Sequence, residues 1–392
     1  MAVIVFVTYH DFTSNSAIQI HTFANQLVRE GHTCVIAVPT NKNTVYTAIG
    51  GEVLYTPVTF PELKKGFFPD GKGPDIIHGW TPREIVRKEC ILLQKMYGSK
   101  LVVHLEDNEE QILSDCLKIP IRELRLRSPE EISAMTPDHL SHLLYYKDFL
   151  KRADGVTVIM DRLAEFVPDT GKCMVLWPGI DRSRFTPGCQ GVVPEIDSGT
   201  LVLCYTGNVH ASNYREVRSL YLAVALLNRT GVPTKLIRTG VDHVPFLGDD
   251  PSWAHDHSIE LGFVPYETIP ALNDRADILV QPGRADEFNA YRLPSKLPEF
   301  FCMGKPVILP NVNIGRFVTD GKEAILLETG TAIEIVEKIR LIRDDPELAR
   351  RLSLEAEDFA IRSFDVSANT KKLALFYERL LAGDDSKTTR RS

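Results

Sequence analysis

The sequence predicts an α/β protein built from two doubly wound parallel sheets, and three observations carry that expectation. Short runs rich in Val, Ile, Leu and Phe alternate with stretches of helical period. The alternation occurs twice along the chain. Between the two series lies an interval rich in Pro, Gly and small polar residues, TPGCQGVVPEIDSGT at 186–200. Strands separated by helices pair in parallel, which gives a sheet covered on both faces. Such an interval marks a domain boundary.

The first series opens with AVIVFVT (2–8) as a strand. A helix follows over 16–30, with Ile18, Ile20, Phe23, Leu27 and Val28 on or near one face, and Gly31 as its stop. Further strands are expected at 33–39, 52–56, 75–79, 100–105, 155–160 and 173–177, with a helix starting near Pro82. Residues 109–150 break the alternation and read as mostly helical. Within them KIPIRELRLR (118–127) is locally +3, from Lys118, Arg122, Arg125 and Arg127 against Glu123. It is either a solvated excursion or a surface for an acceptor or a membrane face.

The second series expects strands at 200–207, 234–240, 258–264, 276–282, 306–310 and 323–328. Helices fit 213–229, 266–274, 295–303, 331–343, 346–362 and 366–382. The domains expected are therefore 1–185 and 186–365, with a closing helix at 366–382 and a frayed polar tail at 383–392. Two such sheets place ligands in a cleft at the carboxyl ends of their strands.

Bulk properties narrow the class. The 392 residues are 44 % hydrophobic and 25 % charged, the composition of a soluble globular protein. A formal charge of −7 argues against a protein devoted to nucleic acid. No apolar run approaches the ~20 residues that span a bilayer. MAVIVFVTYH lacks a basic lead-in and reads as a strand rather than a signal peptide. Seven scattered cysteines without a C-x-x-C pair imply a reducing cytoplasm and no structural metal. His255-Asp256-His257 offers only two imidazoles and is not expected to hold a metal either.

The segment LPSKLPEFFCMGKPVILP (293–310) carries the most chemistry. Ser295 is expected to cap a helix that stops at Gly304 and passes through Lys305-Pro306 into the strand VILP. A helix N-terminus exposes unpaired N–H groups and the positive end of its dipole, which suits a diphosphate. Arg292 and Lys296 flank that turn and can add the charge that a metal supplies elsewhere. Glu299, one turn in, can accept from the two hydroxyls of a ribose.

This segment resembles the donor-binding motif of glycosyltransferase family 4, with Glu299, Gly304, Pro306 and Val307 on the matching positions. The resemblance extends over nearly the whole chain, in order: SAIQIHTFANQLVREGHTCVIAV (16–38), PDIIHGWTP (74–82), WPGIDRSRFTP (177–187) and LCYTGNVHASN (203–213). It implies the GT-B fold, two Rossmann-like domains facing a central cleft. It further implies a retaining transferase without cofactor, moving a hexosyl group from a nucleoside-diphosphate sugar to a hydroxyl acceptor, whether glycan, lipid-linked or small molecule; no D-x-D motif lies beside a strand, so the chemistry is expected to be metal-independent. On that basis His104, at the end of the strand KLVVHL, would stand beside the reacting sugar, with Arg292 and Lys296 stabilising the departing diphosphate. Gly207, Asn208, Val264, Ser295, Lys296, Leu297 and Glu299 would hold the donor. Asn15, Ser16 and Glu106 would meet the acceptor. The cysteine usage points to the cytoplasm, and the basic run 118–127 leaves peripheral contact at the inner membrane face open as the alternative to a solvated excursion.

Two positions depart from the family pattern. Tyr291 stands eight residues before Glu299, where the family places a second glutamate, and GNVHASNYRE offers only Arg215 where an Arg and a Lys are usual. Tyr291 leaves open a non-catalytic sugar-nucleotide-binding protein or inactive partner subunit. A GT-B epimerase or an inverting transferase also remains open. A nicotinamide dehydrogenase does not fit, because TYHDFTSNSA and not G-x-G-x-x-G follows the first strand.

Overall fold

The computed structural model describes residues 1–69 and 71–383. The tail expected at 383–392 lies, from 384 on, outside the described residues. The chain divides into two compact units. One is Met1–Gly179 together with the chain from Val366 on, and the other is Ile180–Asp365.

In the first unit seven strands form one sheet: β1 (Val3–Val7), β2 (Thr33–Val38), β3 (Thr56–Thr59), β4 (Ile76–Trp80), β5 (Lys100–Leu105), β6 (Gly155–Val158) and β7 (Cys173–Val175). Their order is β3-β2-β1-β4-β5-β6-β7, and every pair is parallel. The chain winds outward from β1 in one direction, then returns to its other side at β4. That reversal between β1 and β4 is the switch point at which open α/β sheets bind ligands. The central strands β1, β4 and β5 are buried at nearly every position, as expected of a parallel sheet covered on both faces.

Helix Asn15–Arg29 begins where Ser14 accepts from the Ala17 N–H at 3.3 Å. It buries Ala17, Ile20, Phe23, Ala24 and Leu27 against the sheet. The same core takes in Leu373, Phe376 and Tyr377 of the helix Val366–Ala382. Gly155 lets that helix approach, since a Cβ there would lie 2.6 Å from Phe376 Cζ.

One strand is displaced from its expected place. EVLYT at 52–56 is not a strand, and pairing begins only at Thr56. The side chain of Asn25 takes over the backbone of this segment, donating to Glu52 O at 2.7 Å and accepting from Leu54 N at 2.9 Å. Those groups therefore do not join a ladder. Residues 109–152 fold as four helices, Glu109–Leu117, Ile121–Leu124, Pro129–Met135 and Tyr145–Arg152. They carry a small core of their own around Leu113, Leu124, Ile132, Leu140 and Leu143. Within the basic run, Arg125 pairs with Glu110 at 2.6 Å and Arg127 with Glu131 at 3.4 Å. No helix among the described residues is long and apolar enough to cross a membrane.

The second unit repeats the plan with β8 (Leu201–Thr206), β9 (Thr234–Thr239), β10 (Ser258–Glu260), β11 (Ile278–Val280), β12 (Val307–Pro310) and β13 (Ile325–Leu327). Their order is β10-β9-β8-β11-β12-β13, again all parallel, so the switch point falls between β8 and β11. Helix Tyr214–Arg229 buries Val217, Leu220, Val224 and Leu227 on one face, the 3.6-residue spacing that its sequence shows.

Candidate functional site

At the switch point of the second unit, β8 ends at Thr206, just before Gly207, and β11 ends next to Gln281. The short helix Lys296–Cys302 brings a lysine to that place. Lys296 Nζ donates to Gln281 Oε1 at 3.3 Å and lies 4.3 Å from the centroid of the Tyr205 ring. A Cβ on Gly207 would come within 2.9 Å of the same nitrogen, and Gly207 has a φ of +138°. Glycine is therefore needed both for the turn and for the approach of the ammonium. Burial, and secondarily the Arg292 cation, push Lys296 down to about 7. A half-buried ammonium short of hydrogen-bond acceptors invites an anion.

The loop after β8 is tied in place by Asn208, whose Oδ1 accepts from Val241 N at 2.8 Å and whose carbonyl accepts from Asn213 Nδ2 at 3.0 Å. Gly240 packs against it so tightly that a Cβ there would sit 2.4 Å from the Gly207 carbonyl. On the other side, Glu299 is buried and accepts from the Tyr266 hydroxyl at 2.9 Å. Burial raises its carboxyl to about 7, against the hydrogen bond from Tyr266 and the charge of Lys296. Leu297 is fully buried and anchors the helix, while Val264 is half-buried in the loop after β10.

Ser295 does not act as the expected cap. Its backbone is already helical, at φ −56° and ψ −26°, and its side chain makes no capping bond. The turn is closed instead by Leu297 N donating to Pro294 O at 3.0 Å. Because the helix has only seven residues, the side chains of Arg292 and Lys296 carry more of the positive charge than its dipole.

The sequence reading missed Glu216. It lies in the first turn of helix Tyr214–Arg229 and accepts from Asn289 Nδ2 at 2.7 Å. Its second oxygen, Oε2, is buried without a hydrogen-bond partner among the described residues. Burial raises its carboxyl above the ordinary range, opposed by the nearby Arg292 and by Asn289. Gln281, Tyr205 and Tyr266 were also missed. Tyr205 lies within LCYTGNVHASN, whereas Gln281 and Tyr266 belong to no such motif, and all three reach the lysine from other strands and loops.

In the first unit the corresponding strand ends gather a second set. Trp80, at the end of β4, lies against the His104 ring with centroids 4.0 Å apart. Its Nε1–H donates to Glu106 Oε1 at 2.7 Å, and Ser16 Oγ donates to Glu106 Oε2. Ser16 and Glu106 are thus brought together as paired neighbours, while Asn15 stands exposed on the first helical turn. Burial raises the Glu106 carboxyl, with Ser16 and Trp80 opposing. Arg83 lies 3.8 Å over the Tyr9 ring and 3.7 Å from Glu109.

His104 is buried, and its Nδ1 contacts Thr157 Oγ1 at 2.8 Å. Burial and the neighbouring His78 hold it well below the ordinary histidine range, so the ring is neutral. Thr8 Oγ1, Thr81 Oγ1 and His104 Nε2, all at these strand ends, are buried without a partner among the described residues. Thr81 is also held at a φ of +72°. Unmatched buried polar atoms and a left-handed threonine are the features that ligand sites keep.

Residues 200–345 match the family model of glycosyl transferases group 1. The alpha-D-kanosaminyltransferase of Streptomyces kanamyceticus is 26 % identical over 120 residues, a stretch that spans 30 % of this chain and 30 % of that protein. Among solved structures, Anabaena HepE in complex with UDP and glucose aligns at a TM-score of 0.67 and 16 % identity, covering 96 % of this chain and all of that one. Sucrose-phosphate synthase from Thermosynechococcus elongatus aligns at 0.69 and 15 %, covering 97 % and 100 %. The chain therefore has the GT-B fold, and its second unit carries a region that matches the glycosyl transferases group 1.

Proposed function

We propose that the protein is a retaining glycosyltransferase that moves a hexosyl group from a nucleoside-diphosphate sugar to a hydroxyl acceptor without a metal. One observation carries this most: the Lys296 ammonium, half-buried at the switch point of the second sheet beside Gly207 and Gln281, with Glu299 one turn away on the same helix. A diphosphate satisfies the cation, and ribose hydroxyls have a carboxylate at the distance of one helical turn. HepE, whose structure holds UDP and glucose, makes uridine diphosphate the first nucleotide to test.

The barrier to such a transfer is charge separation, since the sugar becomes oxocarbenium-like as the diphosphate leaves. Lys296 and Arg292 stabilise the departing negative charge, and preorganised charge of this kind is commonly the largest catalytic contribution. Lys296 is fixed by Gln281 and Tyr205 before substrate arrives, so little reorganisation is needed. A leaving phosphate oxygen can take the acceptor proton on the same face, which gives retention without a separate base. Glu106, already bonded to Trp80 and Ser16, forms the wall for the acceptor rather than a free base. Glu216 takes the part of the acid that Tyr291 lacks, its unpartnered oxygen accepting from a donor-sugar hydroxyl.

Incubation of the purified protein with UDP-, GDP- and ADP-hexoses and a panel of hydroxyl acceptors tests this. Retention requires a product anomer that matches the donor. An inverted product, or neither transfer nor donor hydrolysis with any of them, would sink the proposal.

A further inference from the structure

Four buried side chains in the first unit form one continuous chain of contacts. The Tyr377 hydroxyl lies 2.6 Å from His78 Nδ1, His78 Nε2 lies 3.1 Å from Thr157 Oγ1, and Thr157 Oγ1 lies 2.8 Å from His104 Nδ1. All four are buried at 1 % exposure or less. His78 uses both ring nitrogens inside this chain, and the other end of it is His104 Nε2, which has no partner among the described residues. Burial pushes His78 down to about 3 and holds His104 well below its usual range, so both rings are neutral. Each ring then carries one proton, and the network decides where.

Counting donors settles the direction. If Tyr377 O–H donates to His78 Nδ1, His78 Nε2–H donates to Thr157, and Thr157 O–H donates to His104 Nδ1. Only one donor, His104 Nε2–H, is left without an acceptor. Run the other way, His104 Nδ1–H donates to Thr157, Thr157 to His78 Nε2, and His78 Nδ1–H to Tyr377. The buried Tyr377 proton then has no acceptor, and the His104 Nε2 lone pair has no donor. A buried polar atom without a partner is costly, so the arrangement with fewer of them prevails. The same tautomer is the one a free imidazole favours, and the network reinforces it.

We propose that Tyr377 is a positioning residue that fixes His104 as the Nε2–H tautomer through His78 and Thr157, so that His104 offers a hydrogen-bond donor to a ligand oxygen. The role of that donor rests on the transferase reading above; the tautomer does not. Tyr377 belongs to the helix Val366–Ala382, which follows the second unit along the chain, yet it sits in the core of the first. Its packing is secured on the same helix by Phe376 against Gly155. Chain order explains why the sequence hid this network: Tyr377 and His78 are 299 positions apart.

Long-range proton–nitrogen correlation spectra of nitrogen-15-labelled full-length protein test the proposal without any glycosyl transfer. His104 is assigned by comparison with His104→Gln. The expected result is protonation at Nε2 in both His78 and His104. Tyr377→Phe should raise the minor Nδ1–H population of His104 at least tenfold, seen as averaged ring shifts moving toward one another. In a T157V background, Tyr377→Phe should leave the His104 shifts unchanged, because the connection is cut. His104 protonated on Nδ1 in the unaltered protein would overturn the proposal. So would a Tyr377→Phe variant with unchanged His104 shifts, or an effect of equal size in both backgrounds. If Tyr377→Phe does not fold, Thr157→Val alone must shift the His104 populations, and the same shifts as in the parent would overturn the proposal. Absence of transfer activity with these spectral results intact would instead count against the transferase reading alone.

Discussion

A methyl group on Gly207 would stand 2.9 Å from the Lys296 ammonium, so the glycine that follows β8 makes the room in which that cation sits. Gly207→Ala is expected to push the ammonium aside and strain a backbone held at positive φ. Affinity for a nucleotide sugar should fall, and the loss should not add to that of Lys296→Ala. A double-mutant cycle by calorimetry measures this, and full additivity would separate the two residues.

Donor affinity should depend on pH through Lys296. Its folded value is lowered to about 7 by burial, and a bound diphosphate raises it by supplying negative charge. Below pH 7 the lysine is already charged and adds no further slope, while protonation of Glu299, raised to about 7 by burial, weakens the ribose contact. Above pH 7 binding must take up a proton, and affinity falls by up to about tenfold per pH unit. A nucleotide sugar, whose diphosphate does not titrate there, is the ligand for the titration. Lys296→Met should remove the slope; Glu299→Gln should keep it.

Glu299 and Tyr266 should govern the nucleoside end. Glu299→Ala removes an ionisable acceptor for the ribose hydroxyls, an interaction worth about 1.5–3 kcal/mol. Affinity for UDP should fall by about ten- to a hundredfold, while affinity for inorganic diphosphate changes little. Equal losses for both ligands would place Glu299 elsewhere.

Much of the fold was legible, and the reasons are local. VIVFV is apolar throughout, KLVVHL is apolar at four of its six positions, and helices such as 214–229 keep a 3.6-residue stripe, so their positions follow from burial. EVLYT has the same β-rich composition but loses its backbone groups to the Asn25 side chain, a contact that no periodicity encodes. Lys296 and Glu299 were legible because one helical turn joins them. Gln281, Tyr205, Tyr266 and Glu216 come to the same place only through sheet topology. Ser295 was misread because the short helix starts from a turn made by Pro294 and Leu297, which leaves the serine already helical.

Glu216 should affect the sugar and spare the nucleotide. Glu216→Gln preserves shape, removes the charge beside Arg292 and replaces the unpartnered acceptor. The expected outcome is a lower kcat and a changed preference among UDP-hexoses, with the Kd for UDP changed far less than kcat. A large loss of UDP affinity would make Glu216 part of the diphosphate site instead.

The most direct measurement is an isothermal titration of the parent protein and Lys296→Ala with UDP-, GDP- and ADP-sugars. One nucleotide sugar should bind the parent, and Lys296→Ala should bind it about ten- to a hundredfold more weakly, as expected for loss of a charged hydrogen bond. No binding by any nucleotide sugar, or equal binding by the parent and Lys296→Ala, would contradict a donor site built on Lys296.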